Sequence, residues 1–229
     1  MKSRERLSMA LDHQEPDRVP IDLGGSVVTS IAHTTYGDLR DHLGLPQRPI
    51  RTLETVQQIA AVDLIDVHFT ADDLTGQCRP LISPALYRRM IKPRWARILA
   101  AIRRKTEAKI FYHSCGAVSE FLRDLIEIGV EIINPVQVSA AGMDTSGLKK
   151  KYGKHLSFWG GGCDTQRVLN LGSRAEVRAE VRRRVADLAP GGGFVFNPVH
   201  NIQPHISPSN IVAMFQAARE FGTSPIGNC

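Results

Sequence analysis

Short apolar runs alternate with longer stretches of helical period along this chain. Residues 3–13 read as a helix that stops before Glu15-Pro16, and Val19 to Leu23 as a strand running into Gly24-Gly25. Residues 30–43 predict a helix closed by Gly44, and Leu64 to Thr70 a strand leading into Ala71-Asp72-Asp73-Leu74. Ser83-Pro84 opens the next helix, with serine as cap and proline at the first helical position; it is interrupted at Pro93 and resumes to Lys105. A strand over 108–113, a helix over 117–128 closed by Gly129, a strand from Val130 to Asn134 and a helix over 145–152 follow. His155 to Trp159 is a strand, and Ser173-Arg174-Ala175-Glu176 is a capping box that starts a helix to Leu188. Gly193 to Asn197 is the last strand, and Ser207-Pro208 begins a helix ending near Gly222.

Strand and helix in alternation predict an α/β fold with a parallel sheet. The closed TIM-type (β/α)8 barrel and the open doubly wound sheet both fit the pattern. The barrel is favoured because candidate chemistry sits at the ends of consecutive strands, where barrel enzymes place it. No G-x-G-x-x-G follows an early strand, which weakens a dinucleotide reading. About six strands are evident, and a full barrel takes about 250 residues. The barrel is therefore expected to be incomplete, as a single domain over 1–229 with an internal deletion near 49–66, where one short helical stretch stands in place of two or three units.

Three strand ends carry the chemistry. His113 and Cys115 are two apart at the end of an apolar run, so on a strand both point to one side. Imidazole plus thiolate suits Zn2+. The run ending at Trp159 leads into Gly160-Gly161-Gly162-Cys163-Asp164, and the run ending at Asn197 into Pro198-Val199-His200. A lone H-x-C is more often packing than metal, because cysteine is commonly buried. Repetition at successive strand ends favours a metal site of His113, Cys115 and His200, with Cys163 as the alternative ligand; the wide spacings exclude a zinc-finger knuckle.

Other polar groups have bland readings beside functional ones. Asp72 and Asp73 follow a strand, and one could orient His113 or bind substrate; the alternative is a loop or capping pair. Asn197 and Gln203 flank His200, and Asn134 and Gln137 hold similar places after their own strand; taken singly each is structural. Gly161 and Gly162 would let the backbone approach a cofactor, a weak signal by itself. Cys78 and Cys229 receive no role, His13, His33, His42 and His205 read as surface or capping residues, and His68 is ambiguous.

Composition narrows the class. With 42% hydrophobic and 23% charged residues, the 229-residue chain is ordinary for a globular protein. No apolar run approaches a membrane span and no signal-like segment opens the chain, so the expectation is a cytoplasmic protein with no membrane partner. Four cysteines are too few for a disulfide scaffold and favour metal or thiol chemistry. The net charge of +6 comes with clusters such as Arg103-Arg104-Lys105, Lys149-Lys150-Lys151 and Arg182-Arg183-Arg184. These are expected to be solvated helix faces. No nucleic-acid motif accompanies them, so no nucleic-acid partner is expected, and an anionic small-molecule substrate is the better use of the field.

The opening S-R-E-R-L with A-L-D-H-Q-E-P-D-R-V-P-I-D resembles that of the uroporphyrinogen decarboxylase superfamily, which includes the zinc-dependent, corrinoid-linked methyltransferases. The likeness continues through P-L-I-S-P-A-L-Y-R-R-M-I-K-P, F-Y-H-S-C-G, L-I-E-I-G-V-E-I-I-N-P-V-Q, F-W-G-G-G-C-D-T-Q and G-G-F-V-F-N-P-V-H-N-I-Q. It implies a barrel from which several units between Asp63 and Ile65 are missing. The decarboxylase branch carries an arginine-bearing segment where this chain has Leu23-Gly24-Gly25-Ser26-Val27, and its pyrrole-binding aspartate falls in the shortened region. His113 and Cys115 match the methyltransferase branch; His200 departs from it and stands where the decarboxylases place a histidine. The resemblance implies a zinc-dependent methyltransferase that activates a substrate thiol for methyl transfer from a corrinoid protein or related one-carbon carrier. The alternatives are a porphyrin-pathway decarboxylase and an inactive barrel fragment that could homodimerise across its gap. Asp72, Asp73 and His200 are the expected catalytic groups, and Gly161, Gly162 and Asn197 the expected cofactor contacts.

Overall fold

The computed structural model describes residues 1–23, 29–46, 52–54, 59–60 and 68–226. The chain divides into two compact units, Met1–Ile65 with Gly160–Cys229, and Asp66–Trp159. Helices α1 (Ser3–Leu11) and α2 (His33–His42) belong to the first unit, as do the short strands β1 (Thr52–Glu54) and β2 (Ile59–Ala60), which pair antiparallel. Of 49–66 only 52–54 and 59–60 are described, as strand where a short helical stretch was expected, while the loop 24–28 and Cys229 lie outside the described residues.

The second unit is a four-stranded parallel sheet in the order β3 (His68–Ala71), β4 (Ile110–His113), β5 (Ile132–Asn134), β6 (Ser157–Trp159). Helices join these strands: α3 (Pro84–Leu86), α4 (Lys92–Arg103), α5 (Leu122–Glu127) and α6 (Thr145–Tyr152). All residues of β4, β5 and β6 are buried, as a parallel sheet covered on both faces requires. Ring contacts knit its interior: Phe111 with Trp159 at 5.4 Å, Tyr87 with Phe121 at 4.8 Å, and Trp95 with Tyr112 at 5.5 Å.

The helix over 83–105 behaves as its two prolines dictate. Ser83 Oγ accepts the Leu86 N–H, completing the cap ahead of Pro84. The break comes before Pro93, as a π-helical turn over Tyr87–Ile91, because a proline ring has no N–H to give and crowds the carbonyl one turn back.

In the first unit, α7 (Val168–Leu171) precedes α8 (Arg174–Leu188), β7 (Phe194–Val195) and α9 (Pro208–Phe221). The capping box forms: Ser173 Oγ accepts the Glu176 N–H and Glu176 accepts the Ser173 N–H. On α8 the buried residues Val177, Val181, Arg184 and Leu188 recur at helical spacing; Glu180, one turn before Arg184, accepts its guanidinium. Residues 19–23 form no continuous strand. Ile21 makes one parallel bridge to Phe196, and Pro20, which has no N–H to give, offers its carbonyl to the Phe196 N–H.

The fold is thus α/β with parallel strands linked by helices, of the incomplete TIM-barrel kind. Among the described residues no helix is long and apolar enough to cross a membrane.

Candidate metal centre

The mouth of the second unit's sheet is built at the carboxyl ends of its strands. Ala71, His113 and Asn134 are successive partners across β3, β4 and β5, so Asn134 stands directly beside His113. His113 Nδ1 lies 2.7 Å from Asn134 Oδ1, and Asn134 Nδ2 donates to the Trp159 carbonyl at 2.7 Å. The other ring nitrogen, Nε2, is 3.4 Å from Cys115 Sγ. His113 is buried and Cys115 half-buried.

The backbone at Cys115 is pinned from three sides. Its N–H donates to Asp73 Oδ1 at 2.9 Å, its carbonyl accepts from Thr75 Oγ1 at 2.6 Å, and the next N–H, at Gly116, donates to Gln137 Oε1 at 2.6 Å. Gly116 has φ +91°, and a Cβ there would stand 2.4 Å from the Gly76 carbonyl oxygen; only glycine fits. The sulfur is therefore carried on a rigid turn, as a ligand position needs.

The pair meets the dimensions of a zinc site. Zn–N near 2.05 Å and Zn–S near 2.3 Å at a tetrahedral angle set the two donors about 3.6 Å apart, and the observed 3.4 Å is within about 0.2 Å of that. Burial, and secondly the charge of Asp73, push the Cys115 thiol up to about 12. With protein groups alone it is a neutral thiol at pH 7, and a cation beside it is the group that would bring it down.

Asp73 thus serves the Cys115 backbone, while Asp72 Oδ2 accepts from Trp95 Nε1 at 3.3 Å. The partner at His113 Nδ1 is an asparagine amide, not the aspartate anticipated from sequence. From the sequence Asn134 taken singly reads as structural, and the signal that puts it beside His113 is strand register, since the two pair only once β4 and β5 are aligned.

The remaining candidates belong to the first unit. His200 is half-buried after β7, with its Nδ1 on Asn201 Oδ1, which also accepts from Gln203 Nε2 at 2.6 Å. Asn201, fully buried, carried no sequence signal except its place next to His200. Cys163 is fully buried, its thiol driven well above the usual range first by burial and then by Glu180. Its sulfur faces the Asp164 carbonyl at 4.0 Å.

The glycines have a packing reason. Gly160 and Gly161 adopt positive φ, and a Cβ on Gly162 would stand 2.3 Å from the Phe196 ring. Asn197 is fully buried and donates through Nδ2 to the Asp22 and Thr29 carbonyls at 2.9 and 3.1 Å, tying two chain segments together. Its Oδ1 is buried without a hydrogen-bond partner among the described residues.

Comparison with known proteins places this geometry in a family. No curated protein matches the chain. A solved structure, a methyltransferase from Methanosarcina mazei, shares the fold at a TM-score of 0.54 and 22% identity; the match covers 68% of this chain and 42% of that one. The chain therefore matches less than half the length of that protein. The family model for uroporphyrinogen decarboxylase matches residues 55–221, from within the shortened region to the end of α9. A parallel α/β architecture, donor residues at the carboxyl ends of its strands and a family match across most of its length together make this chain a member of the uroporphyrinogen decarboxylase family.

Proposed function

We propose that this chain is a zinc-dependent methyltransferase, in which His113, Cys115 and His200 hold Zn2+ and a small-molecule thiol is methylated from a corrinoid protein or related one-carbon carrier. The observation that carries this reading is the His113–Cys115 pair, with its 3.4 Å separation on a pinned turn. A His2Cys set of donors would leave one position for substrate. The methyltransferase likeness of the fold supports the same direction.

When bound, the ion supplies a Lewis-acid position that holds the substrate thiol as a thiolate. Asp73, Thr75 and Gln137 hold the Cys115 turn in place, so little reorganisation accompanies binding. In the transfer the substrate thiol would give its proton to solvent, its sulfur pair would form the new carbon–sulfur bond, and the carrier would keep the pair of the bond that breaks.

Metal analysis of the purified protein tests this. One equivalent of zinc is expected, lost in Cys115→Ala and His200→Ala and kept in Cys163→Ala. Native-fold protein that carries no metal and is unmoved by added zinc would overturn it. Conversion of uroporphyrinogen in the presence of a chelator would instead identify a decarboxylase.

A further inference from the structure

We propose that Asn134 and Asn201 are positioning residues that hold His113 and His200 in the Nδ1–H tautomer, so that each ring presents Nε2 as its donor nitrogen. The inference rests on the zinc reading above and adds the residues that prepare its ligands.

Begin with Asn134. An asparagine amide offers one accepting oxygen and one donating nitrogen, and its orientation follows from the groups around it. Asn134 Nδ2 lies 2.7 Å from the Trp159 carbonyl, an acceptor only. The amide is therefore oriented with nitrogen toward Trp159 and oxygen toward His113. Flipping it would set two oxygens against each other beside Trp159. The atom 2.7 Å from His113 Nδ1 is thus an acceptor, and Nδ1 must carry the proton. In a neutral imidazole the lone pair then falls on Nε2, the nitrogen that faces Cys115 Sγ.

Asn201 repeats the arrangement in the other unit. The Gln203 amide atom 3.3 Å from the Asn201 main-chain carbonyl, an acceptor only, is its nitrogen, and that same nitrogen donates to Asn201 Oδ1 at 2.6 Å, which identifies Oδ1 as the oxygen. The same oxygen meets His200 Nδ1, so His200 is also protonated at Nδ1. Both asparagines are essentially buried. A neutral amide satisfies the ring N–H without placing a further buried charge beside a histidine. Histidines that bind metals commonly give their second N–H to such a partner.

The test reads the tautomer directly. Ring 15N shifts of histidine-labelled, metal-free protein, above the range where imidazole is protonated, are expected to show Nδ1–H at both His113 and His200. Asn134→Leu removes the acceptor and is expected to lose that preference at His113 and to weaken zinc binding 10–100-fold by chelator competition. Asn134→Asp keeps an acceptor and is expected to retain the Nδ1–H tautomer, which separates acceptor loss from general damage. Asn201→Leu and Asn201→Asp repeat the comparison at His200. An Nε2–H tautomer in wild-type protein, or unchanged zinc affinity in a folded Asn134→Leu variant, would overturn the inference. If Asn134→Leu fails to fold, the wild-type and Asn134→Asp spectra still decide it. Wild-type protein that takes up no zinc would instead overturn the proposed function, since the tautomers are read without metal.

Discussion

Asp73 and Cys115 are joined across the mouth of the sheet: the Cys115 N–H donates to Asp73 Oδ1 at 2.9 Å. The contact links the loop after β3 to the turn after β4, and it sets where the sulfur sits relative to the His113 ring. A carboxylate that serves a backbone N–H in this way positions the side chain that the same residue carries.

Asp73→Ala is therefore expected to weaken zinc binding by about 10-fold or more, the scale found when a group supporting a ligand is removed. Asp73→Asn keeps an oxygen for the N–H and should lose much less. Chelator competition with the two variants side by side measures the difference, and equal losses would assign the effect to charge.

Gly162 is expected to tolerate no side chain, because a Cβ would stand 2.3 Å from the Phe196 ring. Gly162→Ala should destabilise the protein by about 1–3 kcal/mol, as overpacking of a filled core does. Phe196→Leu added to it should recover part of the loss, and urea unfolding of both single variants and the double reads the coupling.

Cys163 is expected to be inert in the native protein. It is fully buried and its thiol is held neutral by burial first and by Glu180 second. A thiol reagent should label the exposed Cys78 at once and reach Cys163 only on unfolding. Mass spectrometry of the labelled chain, with and without denaturant, reports both.

Arg6 holds Asp17 through two hydrogen bonds, at 2.6 and 2.8 Å, and lowers its carboxyl to about 2, chiefly through that hydrogen bonding. The folded value lies below the ordinary 3.8, so the contribution to stability is present above that value and lost as pH falls through about 2. Wild-type protein should lose stability across that window more steeply than Asp17→Asn, as followed by the urea midpoint against pH.

Much of the helical framework was legible in local signals. The capping box at Ser173, the Ser83-Pro84 opening, the break ahead of Pro93 and the apolar runs of β4, β5 and β6 each depend on residues a few positions apart. Period-2 spacing also placed His113 and Cys115 together before any fold was known. The strand read over 19–23 failed because a ladder needs a partner and N–H groups, and this segment makes one bridge. The glycines were legible as special but their purpose was not, since the Phe196 ring against Gly162 comes from a distant part of the chain.

Sequence alone determined the α/β alternation, the capped helix starts at Ser83 and Ser173 and the closeness of His113 to Cys115, because these follow from hydrogen bonding and side-chain direction within one element. Tertiary structure decided which partner each donor meets. The asparagine beside His113 and the aspartate on the Cys115 N–H are 21 and 42 residues away along the chain. They arrive there only through the alignment of parallel strands, which is fixed by burial of the whole sheet and not by any local pattern.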